Sequence, residues 1–460
     1  MNKAPPASKL GRSTITGLAL AHAGASKLRH KARQMLRSDD DKQAAQERHE
    51  TELGRILFKA LNQLKGSALK VSQLLSMEAD FLPEGIRREL AKGCHQVTPL
   101  NRALIHKVFQ REFGMAPEHL YAQFDAHAFA AASLGQVHHA QLANGQQLAV
   151  KVQYPGIAAA IGSDLRMLRG IFQTLAMGNT ILPRKEVIDR FMSELEVKMG
   201  EELDYEHEAM QLNWFHANVN LPGIVIPKCL DELSSARVLT MEKIEGLHLD
   251  AWLATAPDHA QRNHFGQLLF DWFWYSVCEL GRVHADPHPG NFLFMSDGRL
   301  AVLDFGCTNK MSYRFCDAMA RSWRALLMKD EIERNRLLRL AYIDLGLFSD
   351  AVTQDEFDHS VMTALADLHA WKMEAFQSKQ FDFRDKSPYP KSINAEHSKL
   401  LSGILAGWHE DVPYFDRAYL GLMNMLKKMG AVVNTEIAWT EIAWTEIAWT
   451  TEGEKHGNTN

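Results

Sequence analysis

Asp286, Asn291 and Asp304 are three oxygen-bearing side chains at a spacing suited to holding a divalent cation against a nucleoside triphosphate. His284-Ala285-Asp286-Pro287-His288-Pro289-Gly290-Asn291 contains the order Asp, four residues, Asn of the kinase catalytic loop, in which the Asp faces the nucleophile and the Asn holds a metal ion. Asp304-Phe305-Gly306 supplies a second metal carboxylate, so the chemistry implied is Mg²⁺-assisted work on ATP. The intervening residues must bring these groups together. Phe292-Leu293-Phe294 and Leu300-Ala301-Val302-Leu303 read as two apolar strands joined at Ser296-Asp297-Gly298, an Asp-Gly hairpin turn. A hairpin folds its ends together, so Asn291 and Asp304 are expected at one edge, as two oxygen ligands of one hard cation must be. Pro287 and Pro289 stiffen the loop and limit the entropy lost in holding Asp286 and Asn291 in place.

Upstream, Ala149-Val150-Lys151-Val152 ends an apolar run after Asn144-Gly145, a second hairpin turn, and matches the strand whose Lys pairs the α and β phosphates. Ahead of that turn, Ala130-Ala131-Ala132-Ser133-Leu134-Gly135-Gln136-Val137 sits where a kinase has its Gly-rich loop. Glycine lets backbone N–H groups wrap a phosphate, whereas a methyl at each position restricts both φ and close approach. This loop is expected to hold phosphate differently.

These motifs, with Glu202-Leu203-Asp204 and Lys70-Val71-Ser72-Gln73, resemble those of the UbiB-type (UbiB/AarF) atypical kinase-like proteins: an Ala-rich loop, a Asp-Pro-His-Pro-Gly-Asn catalytic loop, a Glu-x-Asp segment and a Lys-x-Gly-Gln motif. Ser72 replaces the motif Gly. The resemblance spans residues 50 to 435 and implies an α+β, protein-kinase-like two-lobed fold with an N-terminal helical extension covering the active site. It also implies an ion pair from Lys151 to Glu202, with Glu208 as the alternative among five carboxylates between Glu201 and Glu208. Asp286 would be the catalytic base, Asn291 and Asp304 the Mg²⁺ ligands, and His288 would stand where kinases have a Lys near the γ-phosphate. Ala130, Ala131, Ala132 and Ser133 would line the phosphates, while Lys70 and Gln73 project toward the active site. The function so implied is an Mg-ATP-dependent ATPase supporting ubiquinone biosynthesis, with little protein kinase activity in trans. The alternatives are a nucleotide-binding pseudokinase scaffold and a small-molecule phosphotransferase. An aminoglycoside or choline kinase relative would share His-x-Asp-x-x-x-x-Asn but explain neither Lys70-x-x-Gln73 nor the Ala-rich loop.

Composition bounds the rest. The 460 residues are 46% hydrophobic, ample for a core, and a net charge of −5 argues against a nucleic-acid binder. Through Ser38 there are eight basic residues and no acidic one, a segment able to lie on an anionic membrane surface or to remain a solvated tail. Five cysteines without C-x-x-C spacing read as reduced thiols, and no apolar run is long enough to span a membrane. The expected location is cytoplasmic, with peripheral contact on the inner membrane face. Partners implied are the nucleotide, a quinone precursor or lipid, and other quinone-biosynthesis enzymes.

The chain therefore divides into a basic segment (1–48), a helical extension (49–124), a small lobe (125–245), a helical large lobe (246–435) and a tail (436–460). In the extension, Ile56, Ala60, Leu64, Leu69 and Leu74 approximate a helical stripe. Helices are expected at 157–175 and 185–215, and strands at 224–226 and 238–241 are expected to complete the small-lobe sheet. The hinge at Glu242-Lys243-Ile244-Glu245-Gly246 is expected to meet adenine through Glu242 and Ile244. The large lobe has no recognisable A-P-E segment after Asp304. The tail holds three copies of Glu-Ile-Ala-Trp-Thr, whose period of five matches neither helix nor strand.

Overall fold

In the computed structural model, the structure describes residues 39–61, 71, 82–91, 102–132, 134–176, 185–390, 401, 404–407 and 409–436. Lys70, Ser72, Gln73, Ser133, most of the basic segment and the repeats from 437 onward lie outside them. Two compact units divide the chain: residues 1–210 with 229–243, and residues 211–228 with 244–460.

In the first unit, helices α1 (Asp39–Leu61) and α2 (Glu84–Ala91) carry the extension. Among the described side chains of α1, Leu53, Leu57 and Leu61 form a buried i, i+4, i+8 ridge, while Leu64, Leu69 and Leu74 of the expected stripe lie outside the described residues. Ile56 only packs at its margin. α3 (Arg102–Phe113) and the single turn α4 (Pro117–Leu120) lead into strands β1 (Gln123–Ala132), β2 (Gly135–Gln141) and β3 (Gln147–Gln153). The β2–β3 connection turns at Gly145, whose φ of 88° explains the Asn-Gly pair. Helices α5 (Ile157–Ala176), α6 (Lys185–Glu201) and α7 (Tyr205–Asn218) follow. The single helix expected over 185–215 is thus broken at Glu202–Asp204. Asp204 restarts it, because its Oδ1 accepts the His207 N–H at 2.9 Å as an N-cap does.

β4 (Ile224–Val225) does not join the small-lobe sheet. It runs parallel to a strand of the second unit, so residues 211–228, counted above with the small lobe, pack elsewhere. β5 (Val238–Glu242) does join, giving an antiparallel sheet in the order β1-β2-β3-β5.

That sheet has two unlike faces. Leu148, Val150, Val152 and Val238 are buried against Ile105, Val108 and Phe109 of α3. On the other face, Val137, Lys151 and Leu239 are paired across the strands, as are His139, Ala149 and Met241. A second core joins α1 and α2 to α5 and α6, and it includes Val71, from the Lys-x-x-Gln motif, and Leu134, from the end of the Ala-rich run. The extension and that hairpin therefore share one core.

In the second unit, α8 (Leu249–Ala254) and α9 (His259–Cys278) precede β6 (Arg282–His284), β7 (Phe292–Phe294), β8 (Leu300–Val302) and β9 (Thr308–Lys310). α10 (Tyr313–Leu326), α11 (Glu331–Asp344), α12 (Met362–Met373), β10 (Gln380–Asp382), α13 (Val412–Met429) and β11 (Val432–Asn434) complete it. Its core is aromatic: Phe273 and Trp274 of α9 pack with Phe415 and Tyr419 of α13, and Trp274 meets Trp323 of α10 edge-on at 5.5 Å. Such aromatic pairs add about 0.5–1.5 kcal/mol each beyond their buried area. No helix among the described residues is long and apolar enough to cross a membrane.

Candidate active site

β7 and β8 pair antiparallel, from Phe292 opposite Val302 to Phe294 opposite Leu300. The turn closes at Gly298 (φ 86°), and Asp297 accepts the Arg299 N–H. This is the hairpin that the Asp-Gly pair anticipates, and its open end is tied by the Leu303 N–H to the Asn291 carbonyl at 2.7 Å. Asn291 and Asp304 are thereby neighbours in the ladder.

Within the catalytic loop, Asn291 donates through Nδ2 to the Asp286 carbonyl at 3.0 Å and to Asp286 Oδ2 at 2.9 Å. The amide nitrogen is committed to fixing Asp286, which leaves Oδ1 as the atom able to ligate a cation. Asp304 adopts φ 56°, the left-handed region that Asp and Asn tolerate better than most residues. His284 holds that backbone in place, its Nε2 donating to the Asp304 carbonyl at 2.8 Å while its ring meets Phe305 edge-on. The β6–β9 ladder continues the tie through the Ala285 N–H to the Cys307 carbonyl. His288 takes the Gly290 N–H on Nδ1 at 3.0 Å, so Nε2 is its proton-bearing nitrogen.

The donor set fits Mg²⁺, which is held by one or two protein oxygens while phosphates and water complete its octahedron. Among the described residues no group of three or more His, Cys, Asp or Glu could hold a metal unaided.

In the first unit, Lys151 Nζ lies 2.9 Å and 2.8 Å from the two carboxylate oxygens of Glu208. Both residues are buried, at 6% and 3% exposure. The expected partner, Glu202, is displaced by Glu208 for a local reason. Glu202 lies in the turn before the helix, whereas Glu208 lies one turn after the Asp204 cap, on the stretch of α7 that reaches the sheet. Gln153 of β3 pins that turn by donating to the Leu203 carbonyl at 2.9 Å.

Ala130–Ala132 are also not a loop. They are the last three residues of β1, paired with Val137, Gln136 and Gly135. Only residues 133 and 134 remain between the strands. On the Lys151 face, Phe129 is 48% exposed and stacks on His139 with centroids 4.0 Å apart. Glu242 pairs with Leu148 at the end of β5, and the Lys243 N–H donates to the Gln147 carbonyl. The division between units falls just before Ile244.

Three supports had no signal in the sequence. Gly421 of α13 passes so close to the catalytic loop that a Cβ there would lie 2.0 Å from Pro287 Cβ. On the same helix, Arg417 donates to the Cys307 sulfur, just past the Asp-Phe-Gly segment. Asp411 accepts from Asn309 Nδ2 at 2.7 Å and from the Ser312 N–H at 2.9 Å, which holds the segment that follows. α13 is thus the pedestal of the catalytic loop. Gly421→Ala must push Pro287 away, and a displacement of about 1 Å at a reacting group can cost about 10²-fold. We expect turnover to fall by that order with a small drop in melting temperature. Unchanged turnover in a correctly folded Gly421→Ala protein, measured by phosphate release, would remove the pedestal role.

Comparison with known proteins agrees with this geometry. A model of the ABC1 atypical kinase-like domain matches residues 92–338. An aarF domain-containing protein kinase of Arabidopsis thaliana chloroplasts is 31% identical over 76% of this chain and 50% of its own length. The mitochondrial atypical kinase COQ8 of Saccharomyces cerevisiae is 26% identical over 81% of this chain and 72% of its own. This chain therefore spans about half the length of the Arabidopsis relative. Among solved structures, Mycobacterium tuberculosis Rv3197, determined with erythromycin, superposes with a TM-score of 0.58 and 25% identity over 88% of this chain and 98% of its own. With a kinase-like α+β fold and a family model covering more than half its length, the chain belongs to the ABC1 atypical kinase-like family, the UbiB/AarF proteins.

Proposed function

We propose that the protein binds Mg·ATP and hydrolyses it, or transfers its γ-phosphoryl group to a small molecule, in support of quinone-lipid biosynthesis. The observation that carries this reading is the bond from Asn291 to Asp286 at the end of the hairpin that leads to Asp304, an arrangement that would supply a base and two metal oxygens. Lys151, oriented by Glu208, would pair the α and β phosphates. Bound Mg²⁺ would neutralise charge on the transferring group. Asp286 would accept the proton of the attacking hydroxyl or water, and His288 Nε2–H would donate toward the phosphates. Phe129, half exposed on the Lys151 face, offers a ring on which the base can stack. Glu242 and Ile244 would meet the adenine edge, and Ala130 to Ser133 would border the triphosphate. For Lys70 and Gln73, outside the described residues, a role at the groove where a peptide substrate lies in protein kinases rests on the family resemblance alone. The quinone link, a lipid or phenolic partner and peripheral membrane contact rest on the family alone.

Steady-state phosphate release from ATP by the purified protein tests the proposal, run with and without Mg²⁺, anionic vesicles and phenolic quinone-precursor mimics. Mg²⁺-dependent release that rises with vesicles or phenols, without phosphorylation of unrelated proteins, is the expected result. Nucleotide binding with no turnover under any of these conditions would instead identify a scaffold, and robust phosphorylation of several unrelated proteins would show that the extension does not cover the groove.

A further inference from the structure

Tyr205 is the first residue of α7, directly after the Glu-x-Asp turn, and it is 1% exposed. Lys151 Nζ, paired with Glu208, sits over the Tyr205 ring at 5.0 Å from the centroid. A cation within about 6 Å of an aromatic face is attracted by the ring's quadrupole, most strongly where water is excluded. Both members of the ion pair are buried, so water is excluded here.

The same side chain touches the Ala-rich hairpin. Gly135 opens β2 and pairs with both Ala132 and Gln153. A Cβ on Gly135 would lie 2.8 Å from the Tyr205 hydroxyl and 2.4 Å from the Val152 carbonyl oxygen. Glycine at 135 is required by this close approach, and its backbone rests on the end of the tyrosine. The ring therefore spans two parts of the first unit, from the root of the hairpin at Gly135 to the Lys151 ammonium group.

We propose that Tyr205 is a positioning residue, its ring holding Lys151 in line with Glu208 while the far end of the ring backs the Ala-rich hairpin at Gly135. Movement of the hairpin is then felt at Lys151, because the two share one rigid side chain. The proposal rests on the reading of Lys151 as the phosphate-pairing lysine.

Tyr205→Phe and Tyr205→Leu separate this from simple core packing. Phenylalanine keeps the ring and loses only the hydroxyl, while leucine keeps apolar volume and loses the aromatic face. Two readouts are needed, one of them independent of nucleotide. The first is the rate at which acetyl phosphate acetylates Lys151 in the full chain without nucleotide, followed by peptide mass spectrometry. The second is kcat and KM for Mg·ATP. We expect Tyr205→Leu to label severalfold faster than wild type and to lose about tenfold or more in kcat/KM. Tyr205→Phe should stay within about threefold of wild type in both. Gly135→Ala should resemble Tyr205→Leu in labelling if its new methyl displaces the ring. If Tyr205→Leu labels at the wild-type rate while remaining folded by melting curve, the ring does not hold Lys151 and the inference fails. Wild-type protein that neither binds nor turns over nucleotide would overturn the proposed function, yet the labelling experiment would still decide the role of Tyr205.

Discussion

Glu208→Gln is expected to lower kcat/KM for Mg·ATP by about 10²-fold, and Glu202→Gln by much less. Glu208 supplies both oxygens of a pair to a lysine that is 6% exposed, and glutamine offers one neutral acceptor in their place. Breaking a buried ion pair by removing one partner typically costs about 3–5 kcal/mol, because the other charge is left uncompensated. The variant should therefore also melt several degrees lower. In the folded fraction, Lys151 would no longer be held toward the phosphates, and misplacement by about 1 Å is enough for a loss of about 10²-fold. Calorimetric titration with Mg·ADP checks the assignment. A large affinity loss in Glu202→Gln with near-normal binding by Glu208→Gln would transfer the pairing role back to the Glu-x-Asp turn.

Asp304→Asn is expected to abolish Mg²⁺-dependent nucleotide binding while leaving the fold intact. The substitution is informative because of the backbone. Asp304 lies at φ 56°, where alanine or a β-branched residue would be strained, but asparagine is tolerated there almost as well as aspartate. The His284 bond to its carbonyl and the β6–β9 ladder do not involve the carboxylate. What is lost is one negative charge at a site that, on the proposed function, would hold a dication against a triphosphate. Equal melting temperatures of the two proteins without ligand, measured by calorimetry, would establish that the lost binding reflects charge alone.

How far the site could be read from the sequence varied with the range of the interactions that build it. The β7–β8 hairpin was legible because its signal is local: an Asp-Gly turn between two short apolar runs. The β2–β3 hairpin was legible for the same reason. Strand-like sequence at Ile224-Val225 was also visible, but not its partner, since a short apolar run says nothing about which edge it joins. The break at Glu202–Asp204 was hidden inside a continuous helical pattern, although an Asp followed by Glu206 and Glu208 in the next turn is what an N-cap looks like. With the helix drawn unbroken, only motif position favoured Glu202 over Glu208. On α1 the second core takes Leu53, Leu57 and Leu61, with Ile56 packed at its margin. Gly421 against Pro287 and Gly135 against Tyr205 were invisible, because each is a close approach between residues far apart in the chain.

The central claim is that the oxygens of Asn291 and Asp304 hold an Mg-nucleotide. Isothermal titration of ATP into the wild-type chain and Asp304→Asn, each with Mg²⁺ and with EDTA, measures this. The account predicts saturable binding by wild type with Mg²⁺, strongly weakened by EDTA, and weak binding by Asp304→Asn that is indifferent to Mg²⁺. Equal, Mg²⁺-dependent affinity in both proteins would contradict it.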